Sequence, residues 1–144
     1  MAPRFNEPLF VISVAARLVE MHPQTLRKYE REGLIAPSRT TGNLRLYSDR
    51  DIERLRQVKY LVEDLGLNLA GVQIVLDMTR RIRELRAYSH DQTSRLVDDV
   101  AADTFGSVIA EMDSILAAIG FIDEGQIAEL RRRESRSVGL SRNQ

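Results

Sequence analysis

Gln24, Arg27, Lys28 and Arg31 follow one another at the spacing that puts side chains on one face of a helix. An amide, two guanidinium groups and an ammonium on one face are hydrogen-bond donors. The chemistry they suit is recognition of phosphate oxygens and base edges in a DNA groove. Leu26 and Tyr29 point the other way and suit packing on a neighbouring helix. Arg39 and Arg45 fall on opposite arms of a hairpin, placed for phosphates or the minor groove. A basic helix face alone fits simple solvation equally well, and so does an arginine-bearing hairpin alone. The short turn before the helix and the hairpin directly after it favour DNA.

The elements that must position these groups can be read outward from them. Phe10 and Ile12 alternate with polar or small neighbours as in a short strand. Ser13 suits the N-cap of a first helix that buries Val14, Ala15, Leu18 and Val19. Glu20-Met21-His22 form the turn, and Pro23 suits the first position of the second helix. Gly33 ends that helix in a left-handed cap, with Leu34 folding back. A wing follows from Pro37 to Tyr47, and its tip Gly42-Asn43 suits a tight turn with both residues at positive φ. Ser48 with Asp51 forms a capping box for a third helix whose stripe is Ile52, Leu55, Val58, Val62 and Leu65, ended by Gly66. Asn68 caps a fourth helix carrying Leu69, Val72, Val75 and Leu76.

Beyond this point the pattern changes. Val75, Met78, Ile82 and Leu85 make an a/d seam of about two heptads, which fails at Ser89 and Gln92. Packing back on the chain's own domain is one reading of the seam, and a dimer interface is the favoured one. From Leu96 to Leu130 the chain reads as helical, broken by Gly106, Gly120 and Gly125. Its apolar face is Val108, Met112, Ile115, Leu116 and Ile119. That face suits support of the dimer, a ligand pocket or a docked partner. Residues 131–144 are Arg- and Ser-rich and read as a frayed tail. The expected architecture is mainly α: a winged helix-turn-helix domain over residues 10–76, a helical dimerisation or partner-binding region over 77–130, and a flexible tail over 131–144.

Composition narrows the function classes. The chain has 144 residues and no net charge, yet residues 1–60 carry 11 basic and 7 acidic side chains, and the remainder is acidic. Such asymmetry suits a polyanion-binding half joined to a half with another task. There is no cysteine, which excludes disulfides and thiolate metal sites. His22 and His90 are too few for an ordinary zinc site. His22 reads as a helix-terminal residue with no sensing duty, in preference to a pH-sensitive phosphate contact, and His90 as exposed. No signal pattern or membrane-length apolar run is present, so the cytoplasm is expected. No nucleophile–base pair, carboxylate pair or phosphate-cradling glycine loop appears, so neither an enzyme nor a cofactor is expected.

The segment Ile12 to Leu76 resembles the DNA-binding domain of the MerR family of regulators. The likeness is carried by Gln24-Thr25-Leu26-Arg27-Lys28-Tyr29-Glu30-Arg31-Glu32-Gly33-Leu34-Ile35, by Arg45-Leu46-Tyr47-Ser48-Asp49 with Asp51-Ile52-Glu53-Arg54-Leu55, and by Leu65-Gly66-Leu67-Asn68-Leu69. Ile12-Ser13-Val14-Ala15-Ala16, Met21-His22-Pro23-Gln24-Thr25-Leu26-Arg27 and Asn68-Leu69-Ala70-Gly71-Val72 resemble its heat-shock repressor subgroup, HspR. The resemblance implies a homodimer on an inverted-repeat DNA operator, repression of chaperone genes, and a DnaK-type chaperone as co-repressor. It places helix contacts on Thr25, Arg27, Lys28 and Tyr29 and wing contacts on Arg39, Arg45 and Tyr47. With the groups found above, the DNA-facing set is Gln24, Thr25, Arg27, Lys28, Tyr29, Arg31, Arg39, Asn43, Arg45 and Tyr47. Glu20 stands where many members have glycine, Lys28 where most have tyrosine, and Asn43-Leu44 where many have glycine and an aromatic. Metal-sensing members bind through C-terminal cysteines, which this chain lacks. Two rival readings are a small-molecule-responsive member with the C-terminal helices as effector pocket, and an adaptor whose basic helix binds an acidic protein.

Overall fold

The computed structural model describes residues 5–95 and 98–141, with side chains described as far as Arg133. Leu96, where the C-terminal part was expected to begin, and residues 142–144 lie outside them.

Strand β1 (Phe10–Val11) leads directly into helix α1 (Ile12–Leu18), and after a turn comes α2 (Pro23–Arg31). Strands β2 (Ser38–Arg39) and β3 (Arg45–Tyr47) form the wing. β3 lies in the middle of a three-stranded antiparallel sheet, with Phe10 opposite Tyr47 and Arg39 opposite Arg45. Helix α3 (Asp49–Lys59) continues into a π-helical turn over Tyr60–Asp64. Helices α4 (Leu69–Ser94), α5 (Asp99–Ala118) and α6 (Glu124–Ser141) complete the described chain.

One cluster of buried apolar side chains joins these N-terminal elements. It takes Ala15, Ala16 and Val19 from α1, Leu26 and Tyr29 from α2, Leu34 and Ile35 after it, and Tyr47 from β3. Ile52, Leu55 and Val58 of α3, Leu61 of the π-helical turn, and Val72 and Leu76 of α4 complete it. Two stripes differ from expectation. Ala16 is buried and Leu18 is exposed, because α1 starts at Ile12 with Val11 as a cap that makes no side-chain bond; Ser13 is not the cap. Leu61 is buried and Leu65 exposed, because the wider π-helical turn rotates the stripe at the end of α3.

The local signals around α3 and α4 act as expected. The Ser48 hydroxyl accepts from the Asp51 amide at 3.1 Å, and the Asp51 carboxylate accepts from the Ser48 amide at 2.8 Å, a complete capping box. Asn68 Oδ1 accepts from the Gly71 amide at 2.8 Å and starts α4. Helix α4 runs unbroken past residue 76, so the expected domain boundary falls inside it, and past the end of the seam at Ser89 and Gln92.

In the C-terminal half, α5 folds back along α4. Ile109, Met112 and Leu116 are buried, while Val108 and Ile115 of the same expected face are exposed. Gly106 sits within α5 and does not break it; Gly120, at φ 79°, does end the segment, and Gly125 lies in the first turn of α6. Residues 131–141, read from the sequence as tail, continue α6. Arg131 of α6 pairs with the buried Asp49 at the start of α3, and Arg50 of α3 pairs with Glu124 at the start of α6. Two reciprocal ion pairs thus tie the last helix to the N-terminal core.

Candidate nucleic-acid interface

Helix α2 begins where Pro23 occupies its first position and His22 caps it, Nδ1 accepting from the Gln24 amide at 3.0 Å. It ends where the Gly33 amide donates to the Glu30 carbonyl at 3.1 Å and the Leu34 amide to the Tyr29 carbonyl at 2.9 Å, with Gly33 at φ 75°. These two hydrogen bonds satisfy carbonyls of the last turn and turn Leu34 back into the core. Both ends are therefore fixed, and Leu26 and Tyr29 lock the rotation of the helix about its axis.

With that rotation set, Gln24, Lys28 and Arg31 are exposed, and Thr25 and Arg27 are half-buried beside them. Among the described residues, none of the side chains of Gln24, Arg27, Lys28 and Arg31 has a hydrogen-bond or ion-pair partner within the chain. Three cations and an amide share an open face with their donors unspent. Tyr29 and Tyr47 do not join them. Tyr29 is 6% exposed and Tyr47 is 0% exposed, so both are core residues. Their placement in the DNA-facing set is corrected here: the turn of α2 that exposes Lys28 drives its neighbour Tyr29 inward, and pairing with Phe10 of β1 seats Tyr47 in the core cluster. Burial raises both phenols above their ordinary range; Glu63 adds to this for Tyr29, and Glu30 and Asp51 for Tyr47.

The wing differs from expectation in two respects. Its tip is a three-residue loop, not a two-residue one. The Asn43 amide donates to the Thr40 carbonyl at 2.9 Å, and the Thr40 amide to the Leu44 carbonyl at 2.9 Å. Only Asn43 has positive φ, 63°; Gly42 does not. The second difference is electrostatic. Arg39 and Arg45 are not free: Arg39 Nη2 lies 2.7 Å from Glu30 Oε1 and Arg45 Nε 2.5 Å from Glu30 Oε2. Arg39 Nη1 also donates to the Asn43 carbonyl at 3.1 Å.

Glu30 is the residue that reading for cations overlooks. It stands on the last turn of α2 and gives one carboxylate oxygen to each arm of the wing. Partial burial pushes its carboxyl up, but the hydrogen bonds from Arg45 and Arg39 outweigh that and hold it below the usual carboxylate range. The signal was present in the sequence as one acid within a basic helix, followed by two arginines in a hairpin. Lys59 and Arg56 of α3 are likewise structural. Lys59 Nζ donates to the carbonyls of Val19 and Glu20 at 3.2 and 3.3 Å, and Arg56 Nη2 to that of Leu18 at 3.3 Å. They cap the end of α1, whose turn holds Glu20 at φ 54°, a left-handed conformation that fits the glycine of other sequences.

The intended dimer seam is partly spent. Val75 packs against the core cluster, whereas Met78 and Leu85 are exposed, as are Ile74 and Tyr88 on the same helix. Ile82 is half-buried. The open stripe on α4 therefore runs through Ile74, Met78, Ile82, Leu85 and Tyr88.

Comparison with known proteins supports this geometry. The model of the MerR helix-turn-helix family of regulatory proteins matches residues 10–79. A Streptomyces coelicolor protein named HspR, for heat shock, is 49% identical over 91 residues, 63% of this chain and 60% of the relative. The transcriptional regulator GlnR of Bacillus cereus is 41% identical over 75 residues, 52% of this chain and 57% of the relative. The transcriptional regulator MlrA of Escherichia coli is 38% identical over 69 residues, 47% of this chain and 28% of the relative. The chain spans less than two thirds of the length of each. The shared part contains the turn, the basic helix, the wing and its junction with α3, and it is over residues 10–79 that the chain is similar to the MerR family of helix-turn-helix regulatory proteins.

Proposed function

We propose that the chain is a sequence-specific regulator of transcription that binds double-stranded DNA as a homodimer on an inverted repeat, and that it represses heat-shock or chaperone genes. The observation that carries the DNA-binding part is the open face of α2, with Gln24, Arg27, Lys28 and Arg31 unpartnered among the described residues, beside an arginine-bearing wing. The heat-shock part is supported by the likeness to the relative named as a heat shock protein; repression, with a DnaK-type chaperone as co-repressor, rests on the subgroup resemblance of the sequence. Dimerisation is supported by the exposed stripe on α4. Two copies of α2 would then enter successive major grooves roughly 34–36 Å apart.

In this reading, Arg27, Lys28, Gln24 and Thr25 meet base edges and nearby phosphates, Arg31 meets phosphate, and Arg39, Asn43 and Arg45 grip the flanking backbone. Phosphate contacts supply most of the affinity and make it steeply dependent on salt. Gel shifts on an operator and a random duplex test the assignment. Arg27→Ala is expected to cost about 1–3 kcal/mol on the operator and to relax discrimination. Arg39→Ala is expected to weaken both duplexes about equally. Wild-type binding by both variants would remove these side chains from the interface. Footprinting upstream of the chain's own operon, with and without purified chaperone, tests the repressor reading.

A further inference from the structure

Behind the DNA-facing surface, α3, α4, α6 and the segment after α2 enclose a cleft of about 360 Å³. Four arginines line it: Arg50, Arg54, Arg80 and Arg83. Arg50 pairs with Glu124 and Arg80 with Glu84. The other two have no ion pair among the described residues. Arg54 spends its Nε on the Leu34 carbonyl at 2.5 Å, and Arg83 lies over the Phe121 ring at 4.6 Å. The acidic side chains of the lining do not balance them. Asp51 is held in the Ser48 capping box, and Glu53 pairs with Arg56 while its second oxygen is sealed from solvent. Loss of hydration lowers the pKa of both guanidinium groups; Arg50 and Arg54 lower Arg83 further by repulsion, while Asp51 and Asp77 oppose the effect at Arg54. The remainder of the wall is apolar, with Leu76, Phe121, Ile122 and Ile127.

We propose that this cleft binds a small organic anion with an apolar body, its acid group held by Arg54 and Arg83 and its body laid against Phe121, Ile122 and Ile127. Two cations with free fork donors and no ion-pair contact among the described residues suit a carboxylate or phosphate. The apolar wall suits a short alkyl or aryl group, the usual division of labour in a small-molecule site. An apolar cation, the natural probe for an effector pocket in the C-terminal helices, has the wrong sign here. A bound anion bridges Arg54 of α3 to Arg83 of α4, and its apolar body meets Ile127 of α6. The proposal does not rest on the DNA-binding reading, and its test contains no DNA.

The full chain is titrated with hexanoate, 1-hexanol, hexylammonium and inorganic phosphate, followed by calorimetry and by the methyl NMR signals of Ile122 and Ile127. Hexanoate is expected to bind saturably and shift those signals, with hexanol and hexylammonium at least about tenfold weaker. Arg83→Gln and Arg54→Gln are expected to weaken hexanoate by about tenfold or more, and Arg133→Gln to leave it unchanged. No saturable binding by hexanoate or phosphate, equal binding by hexanol, or undiminished binding by Arg83→Gln would each overturn the site. Phosphate binding as tightly as hexanoate would overturn its apolar half. The ligand comparison on the wild-type chain decides the matter even where a variant folds poorly.

Discussion

Glu30 sets how much positive charge the interface shows. It neutralises one of the two arginines it touches, so the wing offers a net single charge while being held against α2. Glu30→Gln removes that restraint and adds one positive charge to the surface. Binding to random duplex is expected to tighten, with a salt dependence steeper by about one unit of slope. Stability at neutral pH is expected to fall by about 1 kcal/mol, measured by urea melts, because partly exposed pairs are worth little more. The pH dependence has a defined sign. The carboxyl is lowered in the folded chain, so its contribution is present above the ordinary carboxylate range and is lost as pH falls through the folded value. Glu30→Gln melts should lack that acid-side loss. Tyr47 offers a second residue-scale test. Its hydroxyl is buried with no hydrogen-bond partner among the described residues, a situation that costs about 1–3 kcal/mol. Tyr47→Phe is expected to raise stability by about 1 kcal/mol and leave operator affinity unchanged. A loss of operator affinity would return Tyr47 to the DNA-facing set.

Individual elements were legible where their determinants are neighbours in sequence. Pro23, Gly33, the Ser48–Asp51 box and Asn68 act within a turn of the backbone they cap, so their effect needs no tertiary knowledge. Misreadings arose where a distant partner intervened. Ser13 is a good cap by type, but β1 pairing with β3 brings the chain into α1 two residues earlier. Gly106 is a weak helix residue, yet Ile109, Met112 and Leu116 anchor its helix on α4. The expectation for the wing tip followed the rule for a two-residue turn, whereas Thr40 closes a longer loop with both its amide and its hydroxyl. Two glycines separate the local cost from the tertiary one. A methyl at Gly33 meets open space, so Gly33→Ala should cost only the left-handed penalty, about 1–2 kcal/mol. A methyl at Gly120 meets the Tyr60 ring at 2.7 Å. Gly120→Ala should therefore cost that penalty and a further 1–3 kcal/mol or so for the forced shift. Thermal melts that rank the two equally would contradict the Gly120–Tyr60 contact.

Across the whole molecule, the sequence divided the charge correctly but could not place the second half. Periodicity shows that α4 and α5 have apolar faces; it does not show which face meets which, because every exposed stripe looks alike before the helices fold back. Val75 went to the core and Met78 and Leu85 stayed open, so the dimer proposal now concerns the expected stripe without Val75, extended to Ile74 and Tyr88. Met78→Glu with Leu85→Glu is expected to convert a sedimenting dimer to a monomer while leaving the melting of the N-terminal core unchanged. Operator binding should then weaken steeply, since two half-sites no longer act together. A wild-type monomer at micromolar concentration would remove the stripe from the interface.

The buried cluster that supports the basic helix contains no residue after Leu76. During synthesis, that cluster can begin to close before the remainder of the polypeptide has emerged, since all its members precede residue 77. Asp49 meanwhile waits at the head of α3 without Arg131, and α6 is the piece that joins after the reading head has already taken shape.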